Sequence, residues 1–96
     1  MLLPLFLAVL NRNKTILEDI WEECSFFFND THLVILLDFM INQQYTEGLK
    51  VILRSQATHQ IFYSMSCAEK EILMEFFTVN MLRSKKLVLP LAKFLS

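Results

Sequence analysis

The chain has 96 residues, 54% hydrophobic and 20% charged, with a net charge of −1. Globular chains usually run at roughly 45–50% and about 25%, and a small domain has little interior in which to hide an apolar surplus. The near-zero charge excludes a global pull toward nucleic acid or anionic membrane. One glycine and two prolines are too few turn-formers for a sheet protein.

The predicted elements are helices. Pro4 fits a first helical turn, where its missing N–H is not needed; that helix should run to about Leu10 and end in Asn11-Arg12-Asn13-Lys14. Thr15-Ile16-Leu17-Glu18 matches a capping box, in which hydroxyl and carboxylate each bond a backbone N–H. In the helix that follows, Ile16, Leu17, Ile20, Trp21, Cys24, Phe27 and Phe28 recur at helical spacing and should form the buried stripe. Glu18, Asp19, Glu22 and Glu23 lie on the other side, and Phe26 falls among these acids.

Asn29-Asp30-Thr31 is the next break. The next helix should cover about His32 to Asn42, and from Leu33 to Ile41 its residues are apolar all round except at Asp38. A helix of that kind is buried on all sides or lies in a membrane, and this one is far short of the ~20 residues a span needs. It is expected to be the central helix. Thr46 should cap a fourth helix to about Ser55, carrying Leu49, Val51, Ile52 and Leu53. Ile61-Phe62-Tyr63 reads as a short apolar segment. Ser66-Cys67-Ala68-Glu69 is a second capping box, opening a helix to about Leu82 with Ile72, Leu73, Phe76 and Phe77 as its stripe. Ser84 should cap a last helix, kinked at Pro90 because proline removes an internal hydrogen bond.

The opening decapeptide MLLPLFLAVL has the apolar run of a signal peptide but neither its basic leader nor its small-residue cleavage site. It reads as buried helix. So apolar a start is expected of an internal fragment of a longer helical-repeat protein, behind an added Met1. Cys24 and Cys67 do not make a disulfide framework, which points to a reduced, intracellular setting, cytoplasm or nucleus. Two glycosylation-type triplets, Asn13-Lys14-Thr15 and Asn29-Asp30-Thr31, fall at helix starts, where capping accounts for the same residues.

Little in the sequence carries chemistry. His32 and His59 lack metal-ligand spacing to any Cys or acid. Gly48, the lone glycine, cannot build a phosphate loop. Cys67 starts a helix, a position where a thiol can be reactive, yet no base is placed beside it. No catalytic, cofactor-binding or metal residue is expected. Asp38 must sit at the helix's one wet edge or find a polar contact that fixes register or partner, because an unpaired buried carboxylate is costly. Arg83, Lys85 and Lys86 are too few to argue for nucleic acid.

Thr15 and Ser66 lie 51 residues apart, and at an offset of 54 Leu33, Val34 and Leu37 match Leu87, Val88 and Leu91. Each half pairs a capped amphipathic helix with a very apolar one. In pattern this resembles armadillo and HEAT repeats, whose units are about 40–47 residues long. The expected fold is a single all-α domain over residues 1–96 with about six short helices, either an armadillo/HEAT-like repeat pair or a compact bundle. The expected function is non-enzymatic: a scaffold or adaptor module that binds a partner helix in a groove or self-associates. The alternatives are a self-contained six-helix adaptor bundle of death-fold size, assembling through surface charge, and a small lipid- or ligand-binding helical domain. Phe26, with Glu22, Glu23 and Asp19 as acidic rim, is the expected partner anchor, and Asp38 a second contact.

Overall fold

The computed structural model describes residues 2–95. Among them are seven α-helices and no strand: α1 (Leu3–Leu10), α2 (Lys14–Cys24), α3 (Asp30–Asn42), α4 (Thr46–Arg54), α5 (Gln56–Ser64), α6 (Cys67–Arg83) and α7 (Val88–Leu95). Short 3₁₀ turns occupy Ser25–Phe27 and Lys85–Leu87. No helix among the described residues is long and apolar enough to cross a membrane.

The helix starts follow the asparagines more than the threonines. Asn13 accepts from the Ile16 amide at 3.1 Å and starts α2, so Thr15 lies inside the helix and its capping box does not form. Asn29 accepts from the His32 amide at 3.0 Å, and His32 Nδ1 accepts from the Asn29 amide at 3.2 Å. That reciprocal box starts α3 two residues before the expected His32. Ser66 caps α6 as its sequence predicts, accepting from the Glu69 amide at 3.2 Å, but the reciprocal half of the box does not form, because the Glu69 carboxylate accepts from the Ser66 hydroxyl at 2.9 Å instead. Thr46 is the first residue of α4 rather than its cap; Tyr45 holds that position without a side-chain bond. Ser84 ends α6 instead of capping α7. After the intervening 3₁₀ turn α7 begins at Val88, so Pro90 sits in a first turn, where no intrahelical N–H is needed, and the expected mid-helix kink does not arise.

The helix count is seven rather than about six because α5 is a full helix where the sequence showed only Ile61-Phe62-Tyr63. Its start carries no side-chain cap. Ser55 both ends α4 and begins α5, and its hydroxyl accepts the Trp21 indole N–H at 3.0 Å instead.

The core is one continuous cluster reaching from Leu5 to Phe94. Its centre is α4, which packs against α2, α3, α5 and α7, whereas α3 packs chiefly on α1, α4 and α5. The expectation that α3 is central and covered on every side is therefore corrected. Leu33, Leu36, Leu37 and Met40 are fully buried, but Thr31, Ile35, Asp38 and Asn42 form an exposed row at the i, i+4, i+7, i+11 spacing of one helix face.

The first four helices form two hairpins with the same corner. After α1, the Arg12 amide bonds the Val9 carbonyl and the Asn13 amide the Ala8 carbonyl; after α3, the Gln44 amide bonds Ile41 and the Tyr45 amide Met40. Both corners place a non-glycine residue in the left-handed region, Arg12 at φ 51° and Gln44 at φ 56°. This is the Schellman closure of a helix C-terminus, repeated 32 residues apart. Burial follows the same offset: Leu5 and Leu37, Ala8 and Met40, Leu17 and Leu49, Trp21 and Leu53 are buried pairs. The 51-residue match does not superpose equivalent parts, because Ser66 is a cap and Thr15 is not.

Candidate functional site

A groove opens where α4, α5 and α7 meet. On α4, Lys50, Leu53 and Arg54 share one face through i, i+3 and i+4 spacing. From α7 come Leu89, Pro90, Lys93 and Phe94, and from α5 comes His59; together they line about 540 Å³, within the usual ligand-site range of roughly 300–1,000 Å³. Leu53, Pro90 and Phe94 are buried and form the floor, while Leu89 stands 81% exposed on the wall. The Phe94 ring is fixed from several directions, with centroids 4.8 Å from His59, 5.2 Å from Phe62 and 5.9 Å from Phe77.

The rim is cationic. Lys50 pairs with Glu47 at 3.7 Å across an exposed turn, a contact of little energetic weight. Arg54 is in the last turn of α4, where a cation suits the helix dipole. Lys93 lines the opposite side. A preformed apolar floor between cations suits an apolar surface flanked by acids.

Arg54 also borders a second groove of about 430 Å³, shared with Glu18, Trp21, Glu22 and Ser55. The acidic residues of α2 thus divide. Glu18 and Glu22 face this groove, while Asp19 and Glu23, four residues apart and exposed, form a separate row. Phe26 is 75% exposed and its ring centroid lies 4.1 Å from that of Phe27, itself 58% exposed. Phe27 leaves the expected buried stripe because the 3₁₀ turn changes the helical phase at Ser25; Phe28 stays buried and stacks on Trp21 at 5.5 Å. Ile16 and Ile72, also expected in buried stripes, are 47% and 67% exposed.

Asp38 lies on the wet edge of α3 and accepts from Asn42 Nδ2 at 3.2 Å. Its polar contact is within its own helix, on an element separate from the α2 acids. The cation-rimmed groove was missed by sequence reasoning because it draws on three helices, and its local signal was slight: Lys50 and Arg54 bracketing Leu53, and Lys93 beside Phe94.

No group of three or more His, Cys, Asp or Glu among the described residues is placed to hold a metal ion. Cys24 is half-buried, Cys67 is exposed, and both are free thiols. Burial raises the Tyr45 phenol above its usual pKa; the Arg12 guanidinium works against this and Glu47 with it. Comparison with known proteins finds no match for this chain, whether among protein-family models, curated proteins or solved structures.

Proposed function

We propose that this chain is a non-enzymatic interaction module whose α4–α5–α7 groove takes an amphipathic partner helix with acidic flanks. The observation that carries this reading is the pairing of the Leu53–Pro90–Phe94 floor with the Lys50, Arg54 and Lys93 rim. Apolar anchors of a helix fill such a floor, and opposite charge on the flanks steers and orients it. The two stacked hairpins support a scaffold of repeated two-helix units. Their 32-residue offset is nearer the roughly 33–34 residues of ankyrin-type and tetratricopeptide repeats than the 40–47 of armadillo and HEAT.

The test is a fluorescence-anisotropy titration with a labelled synthetic helix, leucines at i, i+3, i+4 and i+7 and glutamates on both flanks. Binding should weaken about tenfold or more in Lys50→Glu/Arg54→Glu and should weaken with salt. The same peptide with glutamines for glutamates should bind more weakly. Binding indifferent to the charge reversal would overturn the groove assignment. Displacement by equimolar dodecanoate would replace a partner helix with a small acidic amphiphile.

A further inference from the structure

We propose that α6 is a self-association surface on which a second copy of this chain docks its own α6 antiparallel. Leu73, Phe77 and Asn80 hold the inner face of α6 in the core. Its outer face carries Ala68, Ile72, Glu75, Val79 and Leu82, a 4-3-4-3 spacing that keeps one seam along a helix. Ile72 is 67% exposed, Val79 52% and Leu82 84%. Single exposed apolar residues are ordinary, but a row of them along one helix marks a contact surface.

Charge specifies the occupant. Glu69 and Glu71 stand at the start of α6, and Arg83 and Lys85 at or just past its end; all four are exposed. The helix dipole alone favours that polarity, but it does not account for the apolar seam between. An antiparallel pair that sets Ile72 against Leu82 of the second copy also sets Glu75 against Val79. In antiparallel pairing the flanking positions meet their own kind. Glu69 then faces Arg83 of the second copy, both within α6. A parallel pair would stack acid on acid and base on base. The seam from Ala68 to Leu82 is only about 21 Å long at 1.5 Å per residue, so the contact is at the small end of specific interfaces and gives a monomer–dimer equilibrium rather than a permanent dimer.

The test is sedimentation equilibrium of the full chain over about a hundredfold range of concentration, enough to span the transition of one equilibrium. The mass should rise from monomer to dimer. Leu82→Glu should weaken association at least about tenfold without lowering the melting temperature measured at dilutions where both proteins are monomeric, and Val79→Glu repeats the test at a second seam position. Glu69→Lys and Arg83→Glu should each weaken the dimer, and the double swap should restore it. A monomer at every concentration overturns the proposal, as does a dimer indifferent to both seam variants or a double swap without rescue. The surface shares no residue with the α4–α5–α7 groove, so either can fail while the other stands.

Discussion

The Arg12 guanidinium lies over the Tyr45 ring, 5.3 Å from its centroid, while its Nη2 donates to the Gln43 carbonyl at 2.7 Å. One side chain thus ties the first Schellman corner to the second. Arg12→Ala loses both contacts and should cost about 1 kcal/mol in urea melts, since the guanidinium itself is exposed. Arg12→Gly loses them too, but glycine tolerates the left-handed backbone at φ 51°, a relief of about 1 kcal/mol. The glycine variant should therefore be close to wild type.

Tyr45 sits beneath that guanidinium, and its hydroxyl is a buried side-chain polar atom without a hydrogen-bond partner. Because burial raises its pKa in the folded chain, the folded state holds the phenolic proton more tightly than the unfolded state. The associated stabilisation is complete below the unfolded value of about 10 and is lost as pH rises through the folded one. Tyr45→Phe should flatten the alkaline fall in stability relative to wild type. At neutral pH it should be neutral or stabilising by up to about 1 kcal/mol, since it removes an unsatisfied hydroxyl. Urea melts of both proteins from neutral to alkaline pH measure each effect.

Gly48 is a helical glycine whose replacement by alanine should destabilise. Intrinsic propensity favours alanine by about 1 kcal/mol. A Cβ at this position, however, would lie 2.5 Å from Tyr45 Cδ2 and 2.9 Å from Leu17 Cδ2. Both side chains are buried, and overpacking of that kind costs typically about 1–3 kcal/mol. A thermal melt of Gly48→Ala above that of wild type would mean that α2 and α4 can separate freely.

Leu37 and Phe26 should respond oppositely to truncation. Leu37 is 0% exposed and Phe26 75%. Leu37→Ala should cost roughly 2–5 kcal/mol, as buried leucine truncations do, and Phe26→Ala less than about 0.5 kcal/mol. Denaturant melts of the two variants, run together, check the assignment of core and surface.

The helical class and most boundaries were legible because capping and periodicity are local. Ser66 with Glu69, and Asn29 with the residues after it, state a helix start within four residues. What was hidden depended on competition or distance. Asn13 outcompeted Thr15 because the α1 corner closes at Arg12 and delivers Asn13 directly into the next helix. Phe27 was misplaced because a 3₁₀ turn shifts phase without any proline or glycine to announce it. The burial of α3 was overestimated because hydrophobicity alone does not say that Ile35 shares a face with Asp38. The cation-rimmed groove needed Leu53 and Phe94 to meet, a contact no local pattern encodes, whereas Phe26 stood out precisely because it was local.

Ser55 has a further consequence for how this chain tolerates change in length. It is the C-cap of one helix and the N-cap of the next, so a single residue links them. Each residue added there would turn α5 by about 100° around its axis, swinging His59 off Phe94 and pulling Ser55 from the Trp21 indole. The turn at Phe26 and Phe27 has no such requirement, because both rings are exposed, although Ser25 and Phe28 on either side of it are buried. Insertions should therefore be absorbed between Phe26 and Phe27 and rejected at 55, which makes the α4–α5 elbow the fixed rule of the chain's geometry and the Phe26 turn its adjustable joint.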